Sequence, residues 1–171
     1  MDSKGREFSD VLKEAQKKGY AEADPTFDIE GIDAAHKLAI LTSLAFSVPL
    51  NIEDIYVQGI TDVDQCDLAF ASELGYAIKH LGIARQTQDG IELRVHPTLV
   101  PKTSMMAGVN GVLNAVMVNC DAAGSTLYCG RGAGSDPTAS SVVADIIDIS
   151  RVIGNTEDTW IPALGCPLDM L

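Results

Sequence analysis

Near the middle of the chain an Asp89-Gly90 pair sits between two β-rich runs, Ile83–Gln88 and Ile91–Leu99, which commits this stretch to an antiparallel hairpin. A second hairpin is expected from Leu113–Asn119 and Ser125–Gly130, joined by the turn Asp121 to Gly124. Around these strands the spacing of apolar residues is helical. Ser9–Lys18 has a capping Ser, Val11, Leu12 and Ala15 on one side, and Gly19 as a stop. Gly31–Ser47 carries a broad apolar stripe through Ile32, Ala35, Leu38, Ala39, Leu41, Thr42 and Ala45, which predicts a mostly buried helix, and Pro49 ends it by its steric veto on the preceding turn. Asp64–Leu81 spaces Leu68, Ala71, Leu74, Ile78 and Leu81 as an amphipathic helix. Asn51–Val57 reads as a short extended piece and Met105–Val109 as one short turn. Pro137–Val152 reads as a closing helix with Val142, Val143, Ile146, Ile147 and Ile149 turned inward. Helices first, then antiparallel strands, then a helix: the order predicts an α+β fold, a mostly antiparallel sheet covered by helices on one face.

With 171 residues, 46% of them hydrophobic and 21% charged, the chain is apolar enough to fold as one domain. That domain is expected over residues 1–153, and 154–171 reads as an irregular, Pro-containing tail leading out of it. Twelve Lys and Arg against 24 Asp and Glu leave a net charge of −12, so neither nucleic acid nor a membrane is an expected partner. The opening MDSKGREFSD lacks the apolar core of a signal peptide, and a cytoplasmic setting is expected. In that setting Cys66, Cys120, Cys129 and Cys166 should be thiols, mostly buried; none has metal-ligand spacing with a His, and no metal site is expected. Cys120 and Cys129 could face each other across the second hairpin, but a reducing compartment argues against a disulfide.

Two stretches could carry chemistry. The loop Tyr20–Glu30 collects Glu22, Asp24, Asp28 and Glu30, acids able to receive a ligand's ammonium group. Just beyond it Asp33 and Lys37, four residues apart on a helix, share one face. Such a pair can be an ordinary surface ion pair worth at most about 0.5 kcal/mol. The apolar run Leu38–Leu41 beside Lys37 predicts instead a partly buried lysine, its pKa drawn toward the range useful for proton exchange. The second stretch, Gly130 to Ala139, alternates glycines at 130, 132 and 134 before the last helix. It either lets the backbone pass close to a ligand or makes a tight strand-to-helix turn, and the helix start behind it favours a negative group. No strand–GxGxxG–helix unit occurs, so any nucleotide cofactor is expected to be held outside this chain. His80 and His96 receive no role, and His36 reads as a helix-surface residue.

YAEADPTFDIEGIDAAHK, followed by an apolar helix, resembles the substrate-binding signature of homoserine dehydrogenase. GRGAGSDPTASSVVADII resembles the Gly-rich segment of the same family's catalytic domain. The resemblance implies NAD(P)-dependent interconversion of L-aspartate 4-semialdehyde and L-homoserine, on the shared path to threonine and methionine. It implies Lys37 as the catalytic lysine and Asp33 as its partner on the substrate oxygen, with Tyr20, Glu22 and Asp28 also binding substrate. Gly132 and Gly134 would approach the cofactor, NADP or NAD, which the family holds mainly in an N-terminal dinucleotide-binding domain. A homodimer formed through the sheet is implied too. With neither that domain nor its additional lysine in the sequence, this chain alone is expected to be inactive. Two rival readings are a non-catalytic amino-acid-binding or dimerisation domain of the same fold, and a dehydrogenase of the same build acting on another amino-acid aldehyde.

Overall fold

A computed structural model describes residues 8–17, 23–49 and 51–153. The elements run α1 (Phe8–Lys17), α2 (Thr26–Ile29), α3 (Ile32–Phe46), β1 (Tyr56–Val57), α4 (Gln65–Glu73), β2 (Tyr76–Thr87) and β3 (Gly90–Pro101). A 3-10 turn, Met105–Gly108, leads to β4 (Leu113–Cys120), β5 (Gly124–Arg131) and α5 (Ser135–Val152). The Asp89-Gly90 turn forms as expected: β2 and β3 pair antiparallel along their whole length, from Thr87 opposite Gly90 to Tyr76 opposite Pro101. β1 adds to the other edge of β3 in parallel, Tyr56 opposite Arg94. β4 and β5 form a separate hairpin, Leu113 opposite Arg131 and Cys120 opposite Gly124. The class is α+β and the pairing mostly antiparallel, in two sheets.

The core lies where α3 crosses β2 and β3. Ala35, Leu38 and Ala39 of α3 are buried against Ile55 and Val95, with Ile52, Ala84 and Leu93 packed around them. Leu38 lies over Gly82 of β2, where a Cβ would stand at an ordinary van der Waals distance of 3.5 Å from the leucine side chain. Burying one such leucine contributes about 1.5–3 kcal/mol. Thr42 and Ser43 continue the inward stripe; Ser43 donates its hydroxyl to the Val48 carbonyl at 2.6 Å, closing the helix just before Pro49. α4 starts on a reciprocal capping box between Asp64 and Asp67.

Three expectations are corrected. The helix read over Asp64–Leu81 ends at Glu73, and Tyr76–Leu81 is the first half of β2. Ile78 and Leu81 satisfy helical spacing, but twelve residues of pairing with β3 decide the outcome. The apolar side chains of α5 are not inward: Val142, Val143, Ile146, Ile147 and Ile149 are all exposed, because no described element packs over that helix. Cys66, Cys120 and Cys129 are exposed thiols, not buried ones; Cys120 is opposite Gly124 and Cys129 opposite Ala115, so the two hairpin cysteines do not meet. Cys166 and the tail 154–171 lie outside the described residues. Among the described residues no helix is long and apolar enough to cross a membrane.

Candidate active site

The acid-bearing loop passes into α2 and then turns sharply into α3. At the start of α2, Asp24 accepts from the Thr26 hydroxyl at 2.7 Å and from the Thr26 amide at 3.1 Å. These two bonds, the hydroxyl's foremost, hold the Asp24 carboxyl below its ordinary value of 3.8. The turn between the helices falls on Gly31, whose φ of +83° is left-handed and suits glycine. Asp33 follows in the first turn of α3, at the end of the helix where a negative side chain is stabilised.

One helical turn on, Lys37 Nζ is ion-paired and hydrogen-bonded to Asp33 Oδ2. The lysine side chain is 69% exposed and the aspartate 37%. The expected partial burial of Lys37 is therefore wrong. Each residue of a helix turns about 100°, so as Leu38 and Ala39 point into the core, Lys37 points away from it. The expectation of a mostly buried helix is corrected with it: Ile32, Leu41 and Ala45 of the apolar stripe are exposed, as are Ile40 and Leu44, and α3 buries one face only. Phe27 of α2 meets His36 edge to face, ring centres 5.3 Å apart, and His36 takes no part in the ion pair. An ammonium has three donors and one is spent on Asp33, so the pair presents further donors and acceptors to anything that enters from the open side.

Asp28 lies on α2 and is exposed, one corner away from the pair. Tyr20 and Glu22 lie outside the described residues. Gly132 and Gly134 stand between β5 and α5. Gly134, with φ +116°, is the N-cap of α5, and no side chain caps that helix. Gly132 lies against Asn114, whose Nδ2 would be 2.2 Å from a Cβ placed there. Among the described residues no hydrogen bond or ion pair joins this turn to Asp33 or Lys37. No group of three or more His, Cys, Asp or Glu able to hold a metal occurs among them either. His80, without a role in the sequence, has its Nε2 2.9 Å from the Gln58 carbonyl oxygen beside the start of α3. Its one signal is its place in β2, two residues from Gly82 and so on the same sheet face.

The sequence profile of homoserine dehydrogenase matches residues 1–147. This chain belongs to the homoserine dehydrogenase family. The homoserine dehydrogenase of Pseudomonas aeruginosa is 58% identical over 171 residues, 100% of this chain and 39% of that protein. The crystal structure of a homoserine dehydrogenase from Thiobacillus denitrificans superposes with a TM-score of 0.89 at 56% identity, covering 100% of this chain and 40% of that one. A hyperthermophilic archaeal homoserine dehydrogenase mutant, solved in complex with NADPH, gives a TM-score of 0.65 at 29% identity, over 91% of this chain and 44% of that one. The chain thus spans about two fifths of the length of these homoserine dehydrogenases.

Proposed function

We propose that the chain is the catalytic domain of an NAD(P)-dependent homoserine dehydrogenase, interconverting L-aspartate 4-semialdehyde and L-homoserine in the cytoplasm. The observation that carries this reading is the Lys37–Asp33 pair, held on the open side of α3 directly after the acid-bearing loop and α2. In the reducing direction the Lys37 ammonium gives a proton to the carbonyl oxygen as it becomes a hydroxyl; in the oxidising direction the lysine receives that proton. Asp33 holds Nζ in place and so positions Lys37 against the substrate oxygen. Glu22 receives the α-ammonium, and Tyr20 and Asp28 also bind substrate.

When bound, a nicotinamide cofactor supplies or accepts the hydride. Gly134, at the uncapped start of α5, fits an approach to its anionic part, whereas the bare face of Gly132 is taken by Asn114. The greater part of the cofactor, NADP or NAD, is held outside these residues, so the 171-residue chain alone turns over no homoserine. The exposed apolar residues of β4 and β5, Val116, Val118 and Tyr128 among them, support a homodimer formed through the sheet.

A second reading, a non-catalytic amino-acid-binding or dimerisation domain, is favoured by the 69% exposure of Lys37, which suits a plain ion pair. Homoserine-dependent NADP or NAD reduction by the whole protein that carries this sequence separates the two. On the enzyme reading, Glu22→Gln raises KM for homoserine far more than it lowers kcat, because it removes a contact made equally in the ground and transition states. An unchanged KM rejects the ammonium-binding role, and no turnover by the whole protein rejects the enzyme.

A further inference from the structure

The start of α3 is wedged against a side chain from the sheet. A Cβ at Gly31 would stand 2.9 Å from His80 Cε1, 3.1 Å from His80 Nε2 and 3.2 Å from Val57 Cγ1. The His80 imidazole therefore fills the space directly behind the residue on which α2 turns into α3. Its Nε2, 2.9 Å from the Gln58 oxygen, faces an atom that can only accept, which makes Nε2 the protonated nitrogen. Gln58 is itself tied to the sheet, its amide donating to the Val95 carbonyl at 2.8 Å. Two residues on, the Ile60 amide donates to the Ile29 carbonyl at the end of α2, at 2.9 Å. Between them Gly59 runs so close that a Cβ would lie 2.6 Å from that same Ile29 oxygen. The segment 58–60 is thus a strap from β3 to the α2–α3 corner, and His80 holds it from beneath.

We infer that His80 is a positioning residue for the Lys37–Asp33 pair, setting the tilt of the first turns of α3 through Gln58 and Gly31; this rests on the reading of Lys37 as the proton-exchanging group. α3 is held on β2 at two points of one sheet face: Leu38 over Gly82, and Gly31 against His80 two residues away. Lys37 is one residue from the first point and six from the second, about 9 Å of helix. With the His80 support gone, the helix can rock about the Leu38 contact, carrying Asp33, five residues from it, with the free end and so displacing the carboxylate that holds Lys37 Nζ. Misplacement of a catalytic group by about 1 Å costs up to about 10²-fold in rate.

The experiment compares steady-state kinetics of the whole enzyme with His80→Leu, which keeps bulk but no donor, and His80→Gln, whose amide N–H reaches about as far as Nε2. His80→Leu is expected to lower kcat about 10- to 100-fold with KM for the nicotinamide cofactor unchanged, and His80→Gln to recover most of the loss. Because His80 acts through Lys37, adding His80→Leu to Lys37→Ala should lower the residual kcat no further. Wild-type kcat in His80→Leu, or an equal further loss in the Lys37→Ala background, overturns the inference. A Lys37→Ala enzyme with normal kcat overturns the functional reading beneath it instead. If His80→Leu does not fold, His80→Asn, too short to reach the Gln58 carbonyl, takes its place; kcat equal to that of His80→Gln then overturns the proposal.

Discussion

α3 and the hairpin β2–β3 close a core of their own, with Ala35 at 1% exposure and Val95 at 0%, whereas β4, β5 and α5 bury nothing. Tyr128 is 67% exposed and Ile146 60%. The two regions have similar apolar side chains, so composition does not separate them. What differs is that α3 brings Leu38 and Ala39 onto strands already paired along twelve residues. The second hairpin has two apolar faces and no described element over either, and a two-stranded hairpin by itself is marginal in water. Amphipathic spacing states which side of an element is apolar and says nothing of what covers it. The geometry of the Lys37–Asp33 pair is accordingly fixed within this chain, on a helix that the chain's own core supports. The Gly-rich turn stands on the other region.

That contrast breaks first at the two leucine- and isoleucine-bearing helices. Leu38→Ala should destabilise the 171-residue chain by about 2–5 kcal/mol, the usual loss for a leucine removed from a packed core. Ile146→Ala on α5 should change stability by no more than about 0.5 kcal/mol in the same urea titration. Equal losses would mean that α5 has a core after all. Next in size, Gly134→Ala places a Cβ at φ +116°, a conformation that costs about 1–3 kcal/mol. Amide hydrogen exchange should show that cost at the start of α5 and leave β2 and β3 protected as before. Loss of protection in β2 and β3 would show the two regions to be one cooperative unit. Asp64→Ala removes the capping box of α4 and should cost about 1 kcal/mol by the same titration.

The smallest effect sharpens the picture of the acid loop. Thr26→Val removes the hydroxyl that donates to Asp24, so the Asp24 pKa should rise toward 3.8 in an NMR titration. With its folded pKa depressed, Asp24 adds stability that is present above its unfolded pKa and lost as pH falls through the folded one. That acid-side loss should shrink in Thr26→Val; an unchanged Asp24 titration would remove the hydroxyl as its cause.

What the sequence made legible was local. The Gly31–Ser47 stripe gave α3 to within a residue at each end, and Asp89-Gly90 gave the β2–β3 turn, because a stripe, a stop and a turn are written in adjacent residues. The Asp33–Lys37 pair was legible for the same reason, as a four-residue spacing. The start of β2 was not, since Ile78 and Leu81 suit either period and the choice is made by partners on β3 more than ten residues away. Nor was the outward turn of Lys37: an apolar neighbour in sequence is no neighbour in burial when the helix rotates between them. His80 was silent because its meaning lies in Gly31 and Gln58, which only the folded sheet brings to it. Tyr20 and Glu22, read from the motif, fall outside the described residues.

The most direct test of the account is kcat of Lys37→Arg in the whole enzyme. Arginine keeps the charge and similar length, so the ion pair with Asp33 and the affinity for homoserine should change only modestly. A guanidinium holds its proton too tightly to exchange it near neutral pH. If Lys37 moves the alcohol proton, kcat falls about 10²- to 10⁴-fold, the usual contribution of a general acid–base group. A folded Lys37→Arg enzyme with near-normal kcat would contradict the account and leave Lys37 and Asp33 as a surface ion pair.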